Sequence, residues 1–286
     1  MKTALFAVLA AVSIGFLAIW MAATAGVAWK RRPGWLEVGV GFITNVFDTL
    51  GIGSFATTSA FFKLWGMVPD EQIPGTLVVG HTPPSLLQAF IFIAVVQVDF
   101  ATLVLMIASS AVGAWLGAGI VSRLPRRKIR IGMGGALLAA AAVMTLTQLG
   151  WIPGGGDSLG LSGPSLALAI LGNMVFGALM TLGIGLYAPC MILVSLLGMN
   201  PRAAFPIMMG SCAVLMSVGS VPFIRSERYS LKAALGLTVG GIPGVLLAAF
   251  VVKSLPLSAV RWLVVAVVIY TASMMLRSAM LERRGW

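Results

Sequence analysis

Nine apolar runs occupy most of this chain, at residues 3–28, 36–64, 73–97, 100–121, 129–149, 166–197, 204–223, 231–252 and 257–280. Most exceed the roughly 20 helical residues that cross the hydrocarbon core of a bilayer. Charged residues make up 9% of the chain, where a soluble domain carries about 25%. The expected fold class is an all-α polytopic membrane protein, with no room for a separate soluble domain.

The first run is too long for a signal-peptide core of about 7–15 residues, and Lys30, Arg31 and Arg32 follow it directly. It reads as a retained N-terminal transmembrane helix, residues 1–32. The formal charge of +11 falls in short clusters between apolar runs, as membrane topology requires, so no nucleic-acid partner is expected. Cys190 and Cys212 lie inside apolar runs without a CxxC motif or a Cys/His cluster. No metal or cofactor is expected.

The pentapeptide TLGIG occurs twice, at Thr49–Gly53 and Thr181–Gly185. An offset of 132 aligns residues 49–69 with 181–201 at ten identities in 21 positions, Gly66-Met67 with Gly198-Met199 among them. An offset of 131 carries the match onward, pairing Gly113 with Gly244, Leu116 with Leu247, and Arg130 with Arg261. The chain therefore divides into repeat 1 (33–150), an external loop (151–165) and repeat 2 (166–286). Duplication of this kind is common in transporters.

Charge decides the topology. If all nine runs crossed once, the 19 basic residues would split 9 inside and 10 outside. If runs 36–64 and 166–197 instead enter and leave on one side, turning at TLGIG, the split becomes 15 inside and 4 outside. The positive-inside rule selects the second arrangement. Each repeat then holds one re-entrant hairpin and three spans, the second repeat is inverted, and the C-terminus is cytoplasmic. Broken backbone at membrane depth is tolerated where it is buried in protein or lines a wet cavity. The half-helices after the two breaks are expected to aim N–H groups at a shared site near the midplane. The alternative is that the glycines simply let helices pack closely.

The duplicated G-x-G turns, each followed by a small-residue helix and a glycine, resemble the TauE/SafE family of sulfite and organosulfonate exporters. So do Val98-Asp99-Phe100, Gly113–Ala118 and Leu124-Pro125, with their partners Gly241–Leu247, Leu255-Pro256 and Arg261-Trp262. The likeness covers nearly the whole chain after Lys30. It implies a permease of the inner (plasma) membrane, exporting a small anion: sulfite, an organosulfonate, or a related sulfur-containing or carboxylated solute. The first turn departs from the family pattern, reading Gly53-Ser54-Phe55-Ala56-Thr57-Thr58, as do Gly80-His81-Thr82-Pro83-Pro84-Ser85 and Gly210-Ser211-Cys212.

Asp48 is the only acid deep inside an apolar run. A carboxylate there is costly unless paired, wetted or protonated, so it is either a proton-coupling residue or a structural acid bonded to the broken backbone. His81 is the only histidine, just before Pro83-Pro84, which should interrupt its helix. It reads either as an anion-binding or titrating group, or as an interfacial side chain. The candidate binding set at the first break is Asn45, Thr49, Gly51, Gly53, Ser54, Thr57 and Thr58. His81, Thr82 and Ser85, with Gln88 nearby, continue it on the next run. In repeat 2 it comprises Thr181, Gly183, Gly185, Tyr187, Cys190 and Ser211. Each single Ser or Thr has the alternative of bonding its own helix. Trp20, Trp35, Trp65 and Trp151 read as interfacial anchors, and Lys63 as snorkelling.

The leading expectation is a secondary carrier for a small anionic solute in contact with membrane lipid, working by alternating access with proton coupling. A channel, a membrane-embedded enzyme and an assembly subunit are the alternatives. No Walker A motif is present. A homo-oligomer is left open.

Overall fold

Helix formation follows the apolar runs closely. A computed structural model describes residues 2–26, 32–121, 126–151, 156–180 and 185–281. The order is α1 (Lys2–Thr24), α2 (Trp35–Thr49), α3 (Phe55–Leu64), α4 (Ile73–Val95), α5 (Phe100–Val121), α6 (Arg126–Gln148), α7 (Gly163–Met180), α8 (Tyr187–Leu196), α9 (Ala204–Arg225), α10 (Leu231–Ser254) and α11 (Leu257–Leu281). No strand occurs among the described residues; Ser158 and Met199 form one isolated bridge.

Seven stretches among the described residues are long and apolar enough to cross a membrane: Thr3–Thr24, Asp70–Val95, Arg127–Gln148, Gly163–Met180, Pro201–Arg225, Leu231–Ser254 and Leu257–Met280. The chain is a multi-pass membrane protein. The set includes α7, which the charge pattern assigns to a hairpin arm. Its 18 residues reach about 27 Å, close to a full ~30 Å core. Its counterpart α2 has 15 residues and α3 has 10, and neither is long enough to cross.

The first TLGIG site interrupts a helix: α2 stops at Thr49 and α3 starts at Phe55. In the second, α7 is described as far as Met180, and Gly185 and Leu186 are non-helical ahead of α8, which starts at Tyr187. At the first break Gly51 takes φ +94° and closes α2 with two reversed bonds, Gly51 N–H to the Asp48 carbonyl (2.9 Å) and Ile52 N–H to the Phe47 carbonyl (3.0 Å). This left-handed glycine cap satisfies the last carbonyls of the helix. The same cap ends both short helices. Gly66 and Gly198, 132 residues apart, both have positive φ, and Met67 and Met199 donate back to Phe62 and Val194. Duplicated sequence has produced duplicated local structure.

The chain divides into two units. Unit 1 is Met1–Val95 with Cys212–Lys253; unit 2 is Val96–Ser211 with Ser254–Trp286. Each unit draws helices from both repeats, and the contacts recur at the repeat offsets. In unit 1, α10 lies against α2: a Cβ built on Gly244 would stand 2.5 Å from the Phe42 carbonyl oxygen, and one on Gly241 2.6 Å from the Asn45 amide nitrogen. In unit 2, α5 lies against α7: a Cβ on Gly113 would strike the Met174 carbonyl, and one on Gly177 the Ser110 carbonyl. Phe42 and Asn45 sit at the positions that match Met174 and Gly177, while Gly244 and Gly241 match Gly113 and Ser110. Each broken helix is therefore paired with a helix of the other repeat.

One expectation fails in α4. Pro83 and Pro84 do not interrupt it; the helix runs on from Ile73 to Val95. Proline removes an N–H and crowds the carbonyl four residues back. For Pro84 that carbonyl belongs to Gly80, and Thr238 of α10 donates its hydroxyl to it at 2.9 Å. α10 comes this near because Gly80 has no side chain: a Cβ there would stand 2.9 Å from the Ala234 Cα. A neighbouring helix thus supplies the bond that the proline removed.

Trp20 also differs from expectation. It is buried, lies with its ring tilted 39° to that of Phe16 at 5.6 Å and donates its indole N–H to the Tyr229 hydroxyl at 3.2 Å, so it anchors α1 to the protein. Trp35, Trp65 and Trp151 are exposed, as anchors should be. Lys63 is exposed beside Asp70 at 3.8 Å.

Candidate functional site

The first break is where buried polar groups gather in unit 1. Asn45, Asp48 and Thr49 end α2, Ser54 and Thr58 begin α3, and His81, Thr82, Ser85 and Gln88 line α4; all are buried. Such a density of hydrogen-bonding groups inside a membrane protein is maintained only if each is paired.

Two networks do the pairing. In the first, Asn45 Nδ2 donates to the Gly41 carbonyl at 2.8 Å, which identifies Oδ1 as the end facing His81. His81 Nδ1 lies 3.2 Å from that oxygen and Nε2 lies 3.0 Å from the Thr58 hydroxyl. A neutral ring with its proton on Nδ1 makes both bonds, donating to Asn45 and accepting from Thr58. His81 thus ties α2, α3 and α4 together at the break. It is fully buried, so the interfacial alternative does not hold. In the second network Gln88 Nε2 donates to Asp48 Oδ2 at 3.0 Å and to the Thr49 hydroxyl at 2.9 Å. Asp48 is therefore held by a side chain of the next span. The remaining α4 hydroxyls turn toward the later half of α9: Thr82 lies 3.0 Å from the Ser220 hydroxyl, and Ser85 donates to the Met216 sulfur at 3.5 Å.

Several candidate hydroxyls bond to their own helices. Thr49 donates to Asn45, Thr57 to Ser54 and Thr82 to Val78. Their protons are used locally. α3 opens at Ser54 with no side-chain cap, and its first intrahelical bond is Thr58 N–H to the Ser54 carbonyl. The N–H groups of Phe55, Ala56 and Thr57 precede that bond, so they have no intrahelical acceptor. α8 opens the same way at Leu186, also without a side-chain cap. Gly53, with φ +88° and nothing within 4 Å of a built Cβ, leaves the approach to the α3 terminus open.

In unit 2 the structure places Tyr187 and Cys190 in the first turn of α8 and Ser211 on α9, all buried. Gly185 lies just ahead of α8, with nothing within 4 Å of a built Cβ. Thr181 and Gly183 lie outside the described residues. Asn173 is a member that sequence reasoning missed. It is fully buried on α7 and bonds to the Met106 carbonyl at 2.6 Å and to Ser211 at 3.3 Å. A signal exists: it is the only amide side chain in its apolar run, one helical turn before the position that matches Asn45. Ser220 was likewise missed. Among the described residues no group of three or more His, Cys, Asp or Glu side chains is placed to hold a metal.

Broken apolar helices set among buried polar groups are a recurring feature of membrane transporters. Residues 1–144 match the family described as sulfite exporter TauE/SafE, and the chain belongs to that family. It is a family of membrane transporters, not of enzymes. No curated protein and no solved structure matches the chain.

Proposed function

We propose that this protein is a secondary carrier that exports a small anion across the inner (plasma) membrane, the solute being sulfite, an organosulfonate or a related sulfur-containing or carboxylated anion. The observation that carries the reading is the N-terminus of α3, without a side-chain cap, beside a paired, buried polar cluster at a break in a membrane helix. The energetics favour backbone donors over the macrodipole. A helix dipole contributes at most about 2 kcal/mol to an adjacent anion. Hydrogen bonds to a charged group contribute about 1.5–3 kcal/mol each. Three N–H groups together therefore outweigh the dipole, and they offset a desolvation cost of several kcal/mol. A site without a fixed cation also releases its anion, as a carrier must.

Asp48, three residues before Gly51, sets the coupling. A carboxylate charged while an anion occupies the break would repel it, so the solute binds when Asp48 carries a proton. In liposomes, wild-type protein should accumulate sulfite in response to a pH gradient, with saturable flux and counterflow. Asp48→Asn should retain counterflow and lose the gradient-driven accumulation. Undiminished accumulation by the variant removes the coupling, and non-saturating flux without counterflow makes the protein a channel.

Alternating access rests on the inverted arrangement of the repeats, with the C-terminus cytoplasmic. The support is the 15-to-4 division of basic residues together with two helix breaks at matching positions. Single cysteines at Gly66 and Gly198 should react with an impermeant thiol reagent from opposite sides of the membrane, in a background free of Cys190 and Cys212. Reaction from the same side would make the repeats parallel.

A further inference from the structure

In unit 2 the paired ends of α6 and α11 carry a group of cations that takes no part in the site at the breaks. The two helices pack antiparallel and close together at Gly134, where a built Cβ would stand 2.8 Å from the Leu276 Cγ. At the start of α6, Arg127 donates Nε to the Ala279 carbonyl at 3.2 Å, and Arg130 donates Nη1 to the Ser278 hydroxyl at 3.0 Å. Lys128 follows Arg127, and Arg277 directly precedes Ser278. Arg127, Lys128 and Arg277 are exposed. Neither helix contains an acidic residue, and Glu282-Arg283-Arg284 after α11 add a further net positive charge to the sequence.

The positive-inside rule accounts for basic residues at such an end, but not for how these are arranged. Each helix sets its cation at the head of an exposed apolar stripe. On α6, Arg127 is followed on one face by Ile131 and Leu138, both exposed; on α11, Arg277 is preceded on one face by Met274 and Tyr270, also exposed. Spacings of three, four and seven residues keep each set in line. The bonds to Ala279 and Ser278 hold the α6 end against α11, so cations from two helices share one patch. Arg127 and Lys128 also stand in the first turn of α6, where cations oppose the helix dipole and an anion relieves the conflict.

We propose that the α6–α11 end binds the phosphate of an anionic phospholipid, whose acyl chains lie along the two stripes. A guanidinium presents a fork of N–H donors that matches phosphate oxygens, and Arg127 uses only Nε on Ala279. Both helices are long and apolar enough to cross a membrane, so cations at their ends stand at headgroup level with apolar side chains beneath them. Charge above and apolar surface below is the pattern of a lipid. Free phosphate offers the same oxygens without the chains, and the experiment separates the two.

The full-length protein in neutral detergent is titrated with dioleoyl phosphatidylglycerol or dioleoyl phosphatidylcholine and followed by thermal melting. Phosphatidylglycerol should stabilise it at roughly tenfold to hundredfold lower concentration. That preference should fall toward one when Arg127→Gln, Lys128→Gln and Arg277→Gln are combined. Lys128→Gln alone breaks no hydrogen bond among the described residues and should reduce the preference roughly fivefold. It decides the matter if the triple variant melts low in phosphatidylcholine. Arg225→Gln with Arg228→Gln, at the turn before α10, should leave the preference intact. Equal stabilisation of wild type by the two lipids overturns the proposal, as does a preference that survives in both α6–α11 variants. An equal loss in the Arg225/Arg228 control means that the lipid responds to net charge, and the site is withdrawn. Inorganic phosphate that reproduces the effect of phosphatidylglycerol makes the patch a free-anion site and overturns the lipid assignment. None of these readouts depends on transport.

Discussion

Valine in place of Gly244 or Gly113 should lower the melting temperature of the detergent-purified protein by about 5–10 °C, while valine at Gly39 should leave it within a degree or two. At Gly244 the added Cβ would stand 2.5 Å from the Phe42 carbonyl oxygen, and at Gly113 it would strike the Met174 carbonyl. Both obstacles are helix backbone, which cannot rotate aside as a side chain can. The helices must separate instead, and overpacking of this kind costs about 1–3 kcal/mol. Without a hydrophobic driving force between helices in lipid, close backbone contact is itself the source of cohesion, so separation loses that as well. A chain of this size loses about 2–4 °C per kcal/mol. Gly39 is on the same α2 but meets nothing within 4 Å, so it controls for helix propensity alone. Equal losses at Gly39 and Gly244 would show that the glycines matter for something other than the α2–α10 contact.

His81→Leu should destabilise the protein by about 2–5 kcal/mol, measured as a lower melting temperature, and reduce transport with it. Leucine fills similar volume but cannot donate to Asn45 Oδ1 or accept from Thr58. Each buried polar group left unpaired costs about 1–3 kcal/mol. The loss falls on a side chain that ties both arms of the break to α4. Combining His81→Leu with Asn45→Leu and Thr58→Val should recover part of the stability, because an apolar set leaves no orphan. Transport should not recover, since the arms are no longer tied. A His81→Leu variant that melts with wild type would remove His81 from the structural account.

Much of this architecture is legible in the amino-acid sequence alone. A run of twenty apolar residues has no alternative to a helix in lipid, and a glycine with positive φ ends a helix wherever it stands. Thus the breaks at Gly51–Gly53 and before Tyr187, and the twin caps at Gly66 and Gly198, follow from neighbours in sequence. Neither pattern nor composition foretold that α2 would pair with α10, or α5 with α7.

Where distant residues settle the outcome, local rules gave the wrong answer or none. Pro83-Pro84 should end a helix, yet α4 continues because Thr238, 158 residues from Gly80, bonds the freed carbonyl. Trp20 should sit at an interface, yet Tyr229 draws it inward. Asp48 and His81 were visible as unusual residues, but their partners Gln88, Asn45 and Thr58 come from separate helices. Membrane insertion, helix identity and breakpoints depend on each segment's own hydrogen bonds and hydrophobicity, which are written in consecutive residues. Which orphan group meets which partner depends on how the helices pack, and in lipid that is chosen by close backbone contact at a few glycines far apart in the chain.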